Sequence, residues 1–267
     1  MTDNTEQIAS ARALRISIGS PPVSEECRVV VERPVTVSVE GVGDYTLMCT
    51  PSDAAALAVG FVYTEGLISD MSGITSIRRC GDDPYTIRVR LSEECRRAEP
   101  RARNLIVASS CGTCGIDRIE EIIEELPTRA QNLIVPLSTI LAAHTAMKSR
   151  QTLFRETGGA HAAAIFTSDA EILAFGEDIG RHNALDKAIG TCLLARRQPA
   201  GSGLAFSGRA SFEIVAKAAR AGIELIAAVS APSSLAIEAA RRCGITLCGF
   251  VRDDRATIYC HESRVRI

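Results

Sequence analysis

The sequence predicts an α/β protein with a β-rich N-terminal subdomain followed by a layered α/β domain. In the first 108 residues, short segments such as "RPVTVSVEG" alternate apolar and polar residues, which is the period of a half-buried strand. From about residue 131, short apolar segments alternate with longer amphipathic ones, which is the pattern of a sheet covered by helices. At 267 residues the chain is long enough for one large domain or two small ones.

The N-terminal elements follow in chain order. Residues 1–25 show no periodicity and are predicted to be disordered. Residues 26–108 form the β-rich subdomain, in which "CRVVVERPVTVSVEG" and "DYTLMC" predict a hairpin or meander joined at "GVGD". Thr50 followed by Pro51 predicts the cap and first position of a helix over about 52–66. "ITSIRRC" and "YTIRVRL" predict two further strands joined by "GDDP", and the charged segment "SEECRRAEPRAR" after them is predicted to be exposed.

The C-terminal elements begin after a connecting segment, residues 109–130. In it the loop "SSCGTCGI" follows a predicted strand "NLIVASS" and precedes an acidic amphipathic helix that ends at Pro127. Residues 131–267 then read as a helix over "STILAAHTAMKSRQTLF" and strands "HAAAIFT" and "ILAFG". Helices "NALDKAIGTCLLAR", "SFEIVAKAARAG" and "SSLAIEAARRCG" alternate with strands "GLAFSG", "ELIAAVS", "ITLCGFV" and "ATIYCH".

Composition excludes several classes of function. The net charge is −2 and no Trp is present, so neither a basic field nor a set of stacking aromatics predicts nucleic acid as a partner. No apolar run approaches the length of a membrane helix or resembles a signal peptide, so we expect a cytoplasmic protein without a membrane partner. In that compartment most of the ten cysteines should be reduced thiols.

The pair Cys111 and Cys114 admits three kinds of chemistry. A zinc site needs about four ligands, and neither a second cysteine pair nor the H-x-E of zinc deaminases is present, so no metal is expected. A redox disulfide fits the position before a predicted helix, although the pair lies between two folded parts of the chain. In the third role, a thiolate accepts sulfur as a persulfide on a loop made pliable by Gly112 and Gly115.

A second polar stretch, "GEDIGRHNALDKAIG", predicts an anion site. Asn183 could cap the following helix with Asp186 as its partner, but capping leaves Arg181 and His182 unexplained. Basic groups beside a helix N-terminus favour anions. "FSGRAS" repeats this strand-to-helix arrangement with Arg209, and "TGGAHA" adds a third glycine-containing turn.

These motifs together resemble the FdhD/NarQ family of formate dehydrogenase accessory sulfurtransferases. The resemblance runs from about residue 28 to 262 and rests on "SDAAALAVGFVYTEGLI", "SCGTCG", "TGGAHAAAIF", "GEDIGRHNALDKAIG", "SGRASFEIVAKAARAGIELIAAVSAPSSLAIEAA" and "GFVRDDRATIY". It implies that residues 131–267 form a three-layer α/β domain similar to the cytidine deaminase fold without its zinc. It also implies transfer of sulfur from a cysteine desulfurase to the bis(molybdopterin guanine dinucleotide) molybdenum cofactor, which apo formate dehydrogenase then receives.

The resemblance assigns roles to particular residues. Cys111 matches the persulfide-bearing cysteine and Cys114 its partner, and a homodimer is expected. The segment that matches the cofactor-contacting stretch of the family contains Phe250, Val251, Arg252, Asp253, Asp254 and Arg255. Relatives often carry glycine where this chain has the two aspartates, which repel phosphate but could bind the guanine edge. A binding-only maturation factor and a thiol-disulfide oxidoreductase remain open as alternatives.

Overall fold

The computed structural model describes residues 7–97, 123–130 and 132–267 of the chain. Its first element is an antiparallel hairpin, strands β1 (Ile8–Ser17) and β2 (Ser20–Val30), which we call the arm. The prediction of disorder up to residue 25 is therefore wrong for the described part. The arm has no buried face: Leu14 and Ile16 alternate with the polar residues Arg15 and Ser17, yet both apolar side chains are exposed.

The N-terminal subdomain is a four-stranded sheet covered on one face by a helix. Its strands are β3 (Arg33–Val39), β4 (Gly43–Cys49), β5 (Ile74–Arg79) and β6 (Thr86–Leu91), in the order β4-β3-β6-β5. Alternate residues of β3 and β6 are buried against helix α1 (Ala54–Thr64), as the apolar–polar period predicts. A short helix, α2 (Glu93–Arg97), follows within the segment predicted to be exposed.

The C-terminal domain contains a six-stranded mixed sheet. Its strands are β8 (His161–Phe166), β9 (Ile172–Asp178), β10 (Gly203–Phe206), β11 (Leu225–Ala228), β12 (Thr246–Arg252) and β13 (Arg255–Cys260). The order is β13-β12-β11-β10-β8-β9, with β10, β11 and β12 parallel and the outer strands antiparallel to their neighbours. All six match predicted strands. Two short strands, β7 (Val135–Pro136) and β14 (Val265–Arg266), form a separate parallel pair.

Helices cover both faces of this sheet and make three layers. Helix α3 (Leu137–Arg150) packs on one face, and α5 (Arg181–Leu194), α6 (Phe212–Arg220) and α7 (Ser234–Cys243) pack on the other. The α/β class and its β-rich first part are therefore confirmed, while the likeness to the cytidine deaminase fold stays a prediction.

The helix predicted over 138–154 is interrupted at Gln151. The carboxylate of Glu177 accepts the backbone N–H groups of Leu153 and Phe154 at 3.1 and 2.8 Å. These two amides start a separate helix, α4 (Thr152–Thr157), instead of continuing α3. A long-range carboxylate therefore sets a boundary that the local sequence does not reveal.

The two parts of the chain join where helix α1 crosses helix α5. A Cβ at Gly60 would overlap the carbonyl of Asp186, and a Cβ at Gly190 would overlap the carbonyl of Ala56. Both glycines therefore permit a backbone approach that no other residue allows. In the described ranges, no helix is long and apolar enough to cross a lipid bilayer.

Candidate functional site

One edge of the six-stranded sheet carries the polar turns that the sequence singled out. The parallel strands β10, β11 and β12 end there, and the antiparallel strand β8 begins there at His161. Strand β9 runs antiparallel to β8, so its last residue, Asp178, and the following turn to Arg181 lie at the same edge. We call this the site edge. Open α/β sheets place ligands at such edges because the strand-to-helix turns there expose backbone N–H groups.

The turn after β9 places Arg181 and His182 at the start of α5. His182 Nε2 lies 2.7 Å from Glu213 Oε2 on α6, and both side chains are about 30% exposed. The hydrogen bond from His182 is the main reason that the pKa of Glu213 is lowered, and Arg181 and Lys217 lower it further against the effect of burial. The contact between His182 and Glu213 therefore joins the first turns of two helices whose N-termini face the site edge.

His161 lies beside this pair at the start of β8. Its Nδ1 is 3.5 Å from Ser207 Oγ, and the Ser207 hydroxyl in turn accepts the N–H of Ala162 at 2.8 Å. Burial is the main cause that lowers the pKa of His161; the positive charge of Arg181 lowers it further, and the carboxylate of Asp178 acts in the opposite direction. The ring is thus neutral near pH 7, so it offers hydrogen-bonding nitrogen atoms to the site and adds no positive charge.

The turn after β10 leaves polar atoms without protein partners. Ser211 occupies the N-cap position of α6, but its hydroxyl makes no hydrogen bond to the backbone of the helix. Its Oγ is buried and has no hydrogen-bond partner in the described structure. Arg181 Nε is likewise buried and unpaired there. Arg209, which lies in the turn after β10 together with Ser211, is exposed. A donor and a hydroxyl left unpaired beside a helix N-terminus fit an anionic group.

The connection between β12 and β13 forms the other end of the site edge. Phe250 is 39% exposed and adopts a left-handed backbone, with φ of 52°. Arg252 and Arg255 lie directly opposite each other, an arrangement of like charges that an anion would relieve, and Asp253 and Asp254 form the exposed turn between them. Val251 was predicted to contact cofactor, but its side chain is 1% exposed and packs in the core.

The site edge therefore brings together most of the predicted site residues. From β12 to β9 there are four strand spacings, so these two strands are separated by roughly 19 Å across the sheet. Cys111 and Cys114 lie outside the described residues. Among the residues that the structure describes, no group of three or more His, Cys, Asp or Glu side chains is placed to hold a metal ion.

The structure excludes the predicted capping role of Thr50 and the alternative in which Asn183 caps α5. Asn183 does not cap α5, because its Nδ2 donates to Met48 O at 2.8 Å and to Asp178 Oδ1 at 3.1 Å. Thr50 does not cap α1, since its N–H is bonded to Asp178 and the helix begins only after Asp53. Thr50 and Asn183 each have a partner in the other half of the chain, Asp178 and Met48, which no local signal could have indicated.

Sequence reasoning also missed Glu213 and Ser207 as site residues. Glu213 reads as an ordinary acidic residue in a first helical turn, and Ser207 as part of a tight turn. Their contacts with His182 and His161 appear only when the strand order is known. Ser207 lies beside His161 because strands β8 and β10 are neighbours in the sheet.

Comparison with known proteins gives consistent relatives. A family model described as the FdhD/NarQ family matches residues 30–266. The sulfur carrier protein FdhD of Bordetella parapertussis (strain 12822) is 38% identical, covering 89% of this chain and 87% of that protein. The protein of that name from Anaeromyxobacter sp. (strain K) is 39% identical, covering 89% and 88%. A crystal structure from Desulfotalea psychrophila, assigned as a formate dehydrogenase accessory protein, has the same fold, with TM-score 0.78 at 24% identity over 98% and 100% of the two chains.

Proposed function

This chain belongs to the FdhD/NarQ family, and from that premise we propose that it is a sulfur carrier that serves formate dehydrogenase. In this proposal Cys111 takes sulfur from a cysteine desulfurase as a persulfide. The acceptor is the bis(molybdopterin guanine dinucleotide) form of the molybdenum cofactor, bound at the site edge. The observation that carries the proposal is the family match over residues 30–266, which includes both the cysteine pair and every segment of the site edge.

The site edge suits an elongated ligand with two pyrophosphates. One phosphate group would meet the N-terminus of α6 and the unpaired atoms Ser211 Oγ and Arg181 Nε. The other end of the ligand would meet the opposed pair Arg252 and Arg255, two strand spacings or roughly 10 Å across the sheet from the turn at Ser211. Arg209, two residues before Ser211, is exposed and can add another positive charge at the first end.

A guanine base fits the turn between β12 and β13. The carboxylates of Asp253 and Asp254 can accept hydrogen bonds from the N1–H and N2 amino groups that adenine lacks. The half-exposed ring of Phe250 offers an adjacent flat face for stacking. Phe250 keeps a left-handed backbone, which is unusual for a residue other than glycine, and strain of this kind accumulates at functional sites.

Sulfur carriage requires a reactive thiolate. Attack by the Cys111 thiolate on the persulfide of a desulfurase would transfer the terminal sulfur and leave the donor cysteine as a thiolate. Attack by the Cys114 thiolate on Cys111 Sγ would form a disulfide and release the terminal sulfur as hydrosulfide. The buried cysteines are poor competitors, because burial raises the pKa of Cys49 and Cys248 to about 12.

The proposal includes the partners and location that such chemistry needs. A cysteine desulfurase donates sulfur and apo formate dehydrogenase receives the sulfurated cofactor, both in the cytoplasm, where thiols remain reduced. We also propose a homodimer, in which two cofactor sites and two Cys111 loops belong to one assembly. Light scattering of the purified protein tests this, and a monomer at working concentrations would contradict it.

The sulfur-transfer role is tested at the two cysteines. After incubation with a desulfurase and cysteine, mass spectrometry should find one extra sulfur atom on Cys111. Cys111→Ala should abolish activation of the client formate dehydrogenase, whereas Cys114→Ala should reduce it less. An unmodified Cys111 would favour a binding-only factor, and a stable Cys111–Cys114 disulfide alone would favour a thiol-disulfide oxidoreductase.

The position of the cofactor is tested with GDP as a substitute for one guanine nucleotide arm. Calorimetric titration should show GDP binding more tightly than ADP, and Arg255→Ala should weaken GDP binding roughly tenfold or more, as expected for loss of a charged hydrogen bond. Arg242→Ala is a matched control, because this exposed arginine lies near the end of α7, away from the site edge. Equal binding of both nucleotides, or no loss in Arg255→Ala, would move the nucleotide pocket to the turn at Arg181.

A further inference from the structure

The carboxylate of Asp178 is completely buried and fully occupied by donors. Its Oδ1 accepts the N–H of Gly180 at 2.7 Å and Asn183 Nδ2 at 3.1 Å. Its Oδ2 accepts the N–H of Thr50 at 3.1 Å and lies 2.7 Å from Lys187 Nζ. Two carboxylate oxygens offer about four acceptor positions, so no position remains for water or ligand.

The ammonium group of Lys187 is equally occupied. Besides Asp178, it donates to the carbonyl of Thr50 at 2.9 Å and to the carbonyl of Glu177 at 3.3 Å. These three acceptors use the three protons of a lysine ammonium. The Asp178–Lys187 pair therefore forms a closed network that contacts the backbone of Thr50 through both its N–H and its C=O.

This network joins the N-terminal subdomain to the turn that precedes α5. Thr50 follows strand β4, whereas Gly180 and Asn183 flank the two basic residues of the site edge. Thr50 Oγ1 also accepts the N–H of Ile179 at 3.2 Å, and Asn183 reaches the carbonyl of Met48. Arg181 and His182 are thus held between fixed points on both sides, while Arg181 Nε has no hydrogen-bond partner among residues 7–97, 123–130 and 132–267.

We propose that Asp178 and Lys187 are positioning residues, which hold Arg181 and His182 in the geometry that binds the anionic end of the ligand. A buried ion pair is seldom required for stability, because apolar residues of similar size can replace it. The contribution of this pair is to fix the backbone conformation of the turn from Asp178 to Asn183. The N-terminal subdomain is thereby part of the binding site without touching the ligand. The identity of the ligand rests on the proposed function.

Asp178→Asn tests the proposal with little change of shape. The NH2 group of the new asparagine cannot accept a hydrogen bond. If it replaces Oδ2, the contact with the Thr50 N–H is lost, and if it replaces Oδ1, the contact with the Gly180 N–H is lost. We expect faster hydrogen exchange at the Thr50 and Gly180 amides and GDP affinity lower by roughly ten- to hundredfold. Asn183→Ala removes only the outer contacts, so it should fold normally and show a smaller loss in the same direction.

Glu224→Gln is the matched control at the opposite edge of the sheet. That carboxylate is also buried and accepts the N–H groups of Asn132 and Leu133, both at 2.8 Å. It should lower stability while leaving GDP affinity and exchange at Thr50 unchanged. Equal loss of GDP binding in both variants, or unchanged exchange in Asp178→Asn, would overturn the proposal. If the wild type binds no GDP, the cofactor assignment fails, and exchange at Thr50 and Gly180 alone decides whether Asp178 fixes the turn.

Discussion

His144 illustrates what a single buried residue contributes to the pH dependence of stability. Its ring lies in the core under the sheet, with Nε2 2.8 Å from the carbonyl of Ala227, and burial lowers its pKa from 6.5 to about 4. The unfolded chain therefore binds more protons than the folded protein between these two values. The stability that neutral His144 provides is complete above pH 6.5 and declines as the pH falls toward 4.

We therefore expect the free energy of unfolding to decrease by about 2 kcal/mol between pH 7.5 and pH 5 on account of His144. His144→Gln, which can still donate to the same carbonyl, should lack this component. Urea denaturation of both proteins at the two pH values measures the difference. Parallel pH profiles would show that His144 is not titrated on unfolding in this range.

The buried pair Asp186–Lys217 gives a second prediction for single residues. Lys217 Nζ contacts both oxygens of Asp186 at 3.0 and 2.9 Å, and Thr64 Oγ1 donates to the same carboxylate. Lys217→Met leaves Asp186 buried without its cation, so the variant should lose about 3–5 kcal/mol of unfolding free energy. Glu25→Gln, which breaks the exposed ion pair with Arg15, is the control and should cost less than about 1 kcal/mol. Similar losses in the two variants would contradict the distinction.

The crossing of α1 and α5 reverses an ordinary rule for helices. Replacing a glycine inside a helix by alanine usually stabilises a protein by about 1 kcal/mol. At Gly190 the new methyl group would overlap the carbonyl of Ala56, so Gly190→Ala should instead destabilise by about 1–3 kcal/mol. Thr191→Ala, the next position in the helix, should change stability little. A more stable Gly190→Ala protein in thermal denaturation would show that the helices can separate without cost.

Individual elements differ in how well their sequence predicts them. Strands β8, β10, β11 and β12 were predicted because each is an apolar segment buried on both faces, and the partly exposed outer strands β9 and β13 were predicted because each is bounded by turn residues. The arm was missed because apolar and polar residues alternate only over residues 14–18, too short a stretch to indicate a ten-residue strand. The break between α3 and α4 was missed because its cause is Glu177, more than twenty residues further along the chain. Local physics predicts elements that are stabilised locally or by a continuous core, but not boundaries set by distant groups.

For the whole molecule, the arm should be the least stable of the described parts. It pairs only with itself, and its base is fixed by the Arg28–Glu156 ion pair and by Val30 against Gly159. A two-stranded ribbon is marginally stable in water. In a hydrogen-exchange experiment its amides should exchange well before those of β10, which exchange only on global unfolding. Equal protection of both would mean that another molecule covers the arm.

The site edge was predictable in its parts but not as an assembly. Sequence placed Arg181, Arg209 and Arg255 each at a strand-to-helix or strand-to-strand turn. It could not place those turns side by side, because that depends on the strand order β12-β11-β10-β8-β9. Nor could it show that Thr50, 128 positions before Asp178, fixes the geometry of the first turn. Long-range pairing of this kind leaves no periodic trace in the sequence.

The exposed ring of Phe250 has a practical consequence for fluorescence. The chain contains no tryptophan, so Phe250→Trp would introduce a single indole at one end of the site edge. Its emission could be excited selectively above the absorption of the four tyrosines. Quenching on addition of a nucleotide would then report contact at that end alone, whereas a ligand confined to the turn at Arg181, which follows a strand four spacings away in the sheet, would leave the emission unchanged.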